Sequence, residues 1–206
     1  MFGDPELKKK IYLKGKEWAT GKDDRRIARI AGWAILAASA NTEEERAEAY
    51  GIVMGKMDTP HIDMAANVKI AAAILANEAQ KQELYRMSSE EHEKTQYWDI
   101  HGGALIAMAI TAPTGEERSK IYQIANERLK KGYNHRYTKK DMLVMALTAQ
   151  TEEEKNKAFK LAEEYSDTKK YHNFVNGWAN ISLGILGSKD RDLAIKSVAA
   201  LIEQND

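Results

Sequence analysis

The amino-acid sequence predicts an all-α fold: one domain, residues 1–206, in which an N-terminal helix is followed by about five antiparallel helix pairs. Three observations carry this. A helix-start signal recurs at nearly even spacing: Thr114-Gly115-Glu116-Glu117-Arg118, Thr151-Glu152-Glu153-Glu154-Lys155 and Ser188-Lys189-Asp190-Arg191-Asp192 begin 37 residues apart, and Thr42-Glu43-Glu44-Glu45-Arg46 begins 72 residues before the first of them. A fixed period in this range marks stacked helical repeats. An aromatic recurs in step with it, at Tyr12, Tyr50, Tyr85, Tyr122 and Phe159, with spacings of 38, 35, 37 and 37 residues. Finally, no stretch alternates as a strand would, whereas apolar residues return at helical spacing, as in Ile27, Ile30, Ala31, Ala34, Ile35 and Ala38.

The elements follow in order. Helix 5–19 opens on Asp4-Pro5, an N-cap and a proline at the first helical position, where a missing N–H does no harm. Helix 24–40 carries the apolar stripe just named. Helix 43–57 starts at Thr42, whose hydroxyl is placed to accept from the free N–H groups of the first turn, while Glu45 can reach back and complete a capping box. Helix 60–77 opens on Pro60 and is rich in small residues, as in Ile70-Ala71-Ala72-Ala73-Ile74. Helices 79–87 and 90–112 come next, the second with Glu90-Glu91-His92-Glu93 as a solvated first turn after Ser89 and with a place to break near Tyr97. Pro113 closes it. Helices 115–131 and 152–165 take boxes from Thr114 with Glu117 and from Thr151 with Glu154, and helices 138–149 and 169–186 lie between and after them. Helix 189–204 is capped by Ser188 without the reciprocal bond, since Arg191 replaces the Glu.

The capped helices are B helices and the intervening ones A helices. An aromatic at one place in every repeat packs against the neighbouring repeat, and the last B helix, with Lys196 there, suits a polar terminal repeat. Small side chains let helices approach closely, so the A helices are expected to form the most enclosed layer.

With these features the whole chain resembles the α-solenoid class of tetratricopeptide-like and HEAT-like repeats, a resemblance that implies a right-handed α-α superhelix. Its period falls between the 34 residues of the first and the roughly 40–47 of the second. The tetratricopeptide pattern is not met, because Trp33 is followed by Leu36-Ala37 with no Tyr three further on, and Trp178 by Ile181-Ser182. The Leu/Ala-rich A helix, acidic cap and Tyr-bearing B helix are also similar to bacterial helical-repeat domains of unknown function.

Composition narrows the function. Cys is absent, which excludes thiolate catalysis and Cys-ligated zinc or iron–sulfur sites and allows an intracellular, cytoplasmic home. Lys8-Lys9-Lys10 has no apolar stretch behind it, and the longest apolar runs, 31–40, 70–76 and 104–112, are too short to span a bilayer. Thirty-one basic and thirty-one acidic residues cancel, which removes the broad positive field that nonspecific nucleic-acid binding uses. The charge is uneven, with nine basic against five acidic residues over 1–30, six against twelve over 31–113, and sixteen against fourteen over 114–206. Solvated helix faces account for differences of this size, and a partner docking on the basic N-terminal face is the alternative.

Enzyme signatures fail on spacing. Gly15 to Gly21-Lys22 has one residue too many for a phosphate-binding loop and continues with Asp23. His101-Gly102-Gly103 resembles a hydrolase oxyanion loop, yet Asn180-Ile181-Ser182-Leu183-Gly184 lacks the first glycine of a nucleophile elbow; the two glycines fit tight helix packing better. His92-Glu93 would need His at position 96 for a zinc-protease helix, where Gln96 stands.

One constellation remains. His61, Trp98, His135 and His172 are separated by 37 residues each, with Tyr97 and Tyr171 one place earlier in two of these repeats. Residues at one repeat position share an edge, so this row could grip a peptide; alternatively these are half-buried amphipathic side chains at helix entries. A metal is not expected there, since successive repeats stand about 8–10 Å apart and ligation needs about 2 Å. The expected function is a non-catalytic protein- or peptide-binding scaffold without cofactor, metal, nucleic acid or membrane. Its rivals are an enzyme or small-ligand binder in a groove near His101, His135 and His172, and a self-assembling structural subunit. Partner identity and oligomeric state stay open.

Overall fold

The computed structural model describes residues 5–21, 26–59, 62–94, 98–131, 138–166, 182–183 and 185–187, and these are all-α. Nine helices follow one another among the described residues: α1 (Pro5–Thr20), α2 (Arg26–Ser39), α3 (Glu43–Met54), α4 (Ile62–Leu75), α5 (Glu78–Lys94), α6 (Trp98–Thr111), α7 (Gly115–Lys130), α8 (Thr138–Thr148) and α9 (Glu152–Tyr165). The expected helix 169–186 lies outside the described residues except at 182–183 and 185–187, which are helical, and helix 189–204 with its Ser188 cap and Lys196 lies wholly outside them.

Among the described residues the predicted capping boxes form with one exception, and the expected Asp4 cap lies outside those residues. Thr42 and Thr151 accept from the backbone N–H of Glu45 and Glu154, and the two glutamates return the bond, each taking the N–H of its threonine and of the residue before, Asn41 or Gln150. At Thr114 the hydroxyl still accepts from the Glu117 N–H, but it donates to the Glu117 carboxylate, so the expected reciprocal bond is replaced. A third complete box had no Thr to announce it. Asn77 Oδ1 accepts from the Gln80 N–H at 3.0 Å and Gln80 Oε1 from the Asn77 N–H at 2.9 Å, in the repeat between Thr42 and Thr114.

The boundary expected at Ser88-Ser89 does not exist. α5 runs straight through it because Arg86 pairs with Glu83 and Glu90, and Glu90 with Lys94, an i,i+3 and i,i+4 ladder that only a continuous helix brings together. The expected break near Tyr97 lies outside the described residues, and His92 sits in the last turn of α5 rather than in the first turn of another helix.

The A helices α2, α4, α6 and α8 touch in sequence, α2 with α4, α4 with α6 and α6 with α8. They are enclosed as expected: residues 102–109 of α6 and 141–148 of α8 are all buried. A helix apolar around its whole circumference belongs in an interior. Glycines set the closest crossings. A Cβ on Gly103 would stand 2.7 Å from Ala66 Cα of α4, and one on Gly32 would strike the backbone of Trp18 and Ala19 in α1. The B helices α3, α5 and α7 each pack more extensively on the A helix that follows than on the one before, and α1 lies along α2 instead of leading alone.

Two apolar clusters fill the space between the layers. One gathers Trp33, Leu36, Val53, Val68, Leu75 and Leu84; the other gathers Leu105, Ile106, Ile121, Leu143, Met145 and Leu147, with Ile74 packed against both. Two members of the aromatic series, Tyr12 and Tyr122, bond to the next B helix, while Phe159 is exposed and the B helix expected after it lies outside the described residues. The Tyr12 hydroxyl donates to the Glu45 carbonyl at 3.0 Å and to Glu48 Oε2 at 2.9 Å, and the Tyr122 hydroxyl donates to the Glu154 carbonyl at 3.3 Å. Glu45 and Glu154 are the box glutamates of α3 and α9, so each tyrosine binds the first turn of the next B helix. Burial, with Glu154 and Glu153 nearby, pushes the Tyr122 phenol up to about 12. Tyr50 and Tyr85 are raised by burial and then by Glu83 and Glu117, again on the following B helix.

Candidate functional site

A charge inside an apolar layer must find a partner or neutralise. Lys69 on α4, Arg128 on α7 and Asp141 on α8 are such charges, only 6%, 8% and 1% exposed. Each sits in an otherwise apolar stretch or turned into one by helical register. Lys69 Nζ lies 2.9 Å from Glu91 Oε2 on α5 and donates to the Ala65 carbonyl at 3.3 Å. Arg128 Nε donates to both Asp141 oxygens, at 3.0 and 3.1 Å. Glu91 and Arg128 each stand 14 residues after their cap, Asn77 and Thr114, so one repeat position is used with opposite charge.

Two histidines complete the cluster. The His92 and His101 rings stack with centroids 3.8 Å apart and planes 11° from parallel, joining the end of α5 to the start of α6. Arg128 Nη1 bonds His101 Nδ1. A guanidinium can only donate, so His101 Nδ1 is the acceptor and its proton is on Nε2. His92 Nδ1 is buried without a hydrogen-bond partner among the described residues. Gly102 lets the Lys140 side chain cross α6 here, since a Cβ would meet its Cδ at 2.7 Å.

Burial, then the Arg128 charge, pushes His92 down to about 4; burial, then the neighbouring His92 and Arg128, pushes His101 down to about 3. Burial raises Asp141 to about 6 although Arg128 pulls the other way. At pH 7 the cluster therefore holds two neutral imidazoles beside an ionised Arg–Asp pair. Parallel stacked rings point their lone pairs side by side rather than toward a common ion, and among the described residues no group of three or more His, Asp or Glu is placed to hold a metal.

Of the residues expected to form a binding row, His61, Tyr97, His135, Tyr171 and His172 lie outside the described residues, and Trp98 is placed only as the opening residue of α6. The alternative groove near His101, His135 and His172 is described at His101 alone, which is half-buried against His92 and Arg128. Sequence reasoning placed His92 in a solvated first turn, where the structure half-buries it in the last turn of α5, and passed over Arg128, Asp141 and Lys69. A usable signal was present in Lys69 within 64–75 and Asp141 before 142–147, single charges against apolar runs. Beside the cluster, Met87, Glu90, Glu91 and Lys94 line a shallow open depression on α5. No helix among the described residues is long and apolar enough to cross a membrane. Comparison with family models, with curated proteins and with solved structures finds no match to this chain.

Proposed function

We propose that the chain is a single helical-repeat domain of the α-solenoid type, a right-handed superhelix that serves as a scaffold binding a protein or peptide segment. The observation that carries this reading is the repeated bond from a B-helix tyrosine to the first turn of the next B helix, made by Tyr12 on α3 and again by Tyr122 on α9. Contacts made in the same register by successive units, with A helices touching only in sequence, are the mark of quasi-one-dimensional stacking, and such stacks present extended faces for partners. The open depression on α5 suits a chain segment better than an enclosed small molecule.

The contacts are assigned to the edge carrying His61, Trp98, His135 and His172, on the strength of their 37-residue spacing. The test is selection of peptides on the immobilised full chain from a displayed library, followed by titration. Saturable binding that weakens in a His135→Ala, His172→Ala double variant of unchanged thermal stability is the expected result. Binding that is indifferent to these residues would remove the edge from the proposal, and failure to select any saturable ligand would remove the scaffold reading.

A further inference from the structure

We propose that the stacked His92 and His101 rings are an acid-responsive latch, which holds the end of α5 against the start of α6 while both are neutral and releases it when they take up protons. The geometry sets the response. Two flat imidazoles in face contact attract as neutral rings, but as imidazoliums they would place like charges 3.8 Å apart, beside the Arg128 guanidinium. Among the described residues, three carboxylates of the junction are already committed, Glu91 of α5 to Lys69 of α4, Asp141 of α8 to Arg128 of α7, and Glu90 to Arg86 and Lys94 along α5, while Glu93, beside His92, is exposed to water. Lys140 of α8 adds a further positive charge nearby.

The sign follows from which state binds more protons. Histidines pushed below the ordinary 6.5 remain neutral in the folded chain after the unfolded chain has taken its protons, so their contribution is complete above about pH 6.5 and is lost as pH falls toward 4. Asp141 acts in reverse, because its raised value lets the folded chain take a proton first, between about pH 6 and 3.8. That protonation removes the counter-ion of Arg128 and leaves its charge facing the imidazoles. With two histidines against one aspartate, acid weakens the junction. The depression lined by Met87, Glu90, Glu91 and Lys94 is on the same turns of α5, so release reshapes that face.

The test uses the full chain. Side-chain NMR of its five histidines is followed from pH 7.5 to 2.5, with amide hydrogen exchange measured across the same range and corrected for the intrinsic pH dependence. The expected result is that His92 and His101 stay neutral below pH 5, and that as they protonate exchange rises at least about tenfold in the last turns of α5 and the first turns of α6 while α2 and α3 hold. A His92→Phe, His101→Phe variant, which retains the stack without the protons, should lose that local rise. Titration of both histidines near 6.5, or a rise shared equally by all helices, would overturn the latch. Should the double variant fail to fold, the two wild-type measurements decide the question by themselves.

Discussion

At the N-terminal ends of the B helices similar cap contacts return along the chain, while at the C-terminal ends of α5 and α7 one buried cluster ties α4, α5, α6, α7 and α8 together. The first end uses exposed threonine hydroxyls at Thr42, Thr114 and Thr151, box glutamates at Glu45 and Glu154 and tyrosine bonds from Tyr12 and Tyr122, each replaceable at modest cost. The second end uses charges that have given up their hydration, so each depends wholly on its partner. The contrast teaches that a helical chain can spread its stability over several caps at one edge and concentrate it in one cluster at the other.

The comparison breaks first at Asp141. Asp141→Ala leaves the Arg128 guanidinium buried without its carboxylate and should destabilise the chain by about 3–5 kcal/mol in urea unfolding. A loss below about 1 kcal/mol would mean that water reaches the pair and that the two ends do not differ in kind. The A layer comes next. Gly103→Ala forces a methyl against Ala66 of α4, and overpacking of this sort should cost about 1–3 kcal/mol; an unchanged midpoint would show that α6 can slide away freely.

At the repeated end the effects are smaller and graded. Thr151→Ala and Thr42→Ala should each lower stability by about 0.5–2 kcal/mol, with Thr114→Ala also destabilising through its lost bond to the Glu117 N–H. The sharper comparison is between the glutamates. Glu154→Ala removes acceptors from two backbone N–H groups, whereas Glu117→Ala removes none, so equal effects on chemical denaturation would contradict the difference between the two caps. The least effect is expected from Tyr122→Phe, about 0.5–1.5 kcal/mol for one hydrogen bond to the Glu154 carbonyl, measured against the parent in the same denaturant series.

Much of the repeated end was legible because its signals are local. A threonine with a glutamate three places on acts within one turn of helix, and it does so whatever lies around it. The box at Asn77-Gln80 carries neither the Thr nor the Glu of the other boxes, although Asn caps as well as Thr does. The false boundary at Ser89 arose from the same locality. Serine followed by Glu90-Glu91 reads as a helix start until the ion pairs of Arg86 and Glu90 across it are seen.

By itself, then, the sequence determined the all-helical character, the places where most B helices begin and the spacing of the aromatics that link them, because helical period and capping are properties of a few consecutive residues. It did not announce that His92 of α5 would meet His101 of α6, that Arg128 would find Asp141, or that Lys69 would turn toward Glu91. Those pairings depend on which helix lies against which and at what rotation, and the close approaches at Gly32 and Gly103 help set that arrangement. Desolvation follows from the same arrangement. A histidine's proton affinity is ordinary in an isolated helix and moves only when neighbouring helices remove water and set a guanidinium beside it.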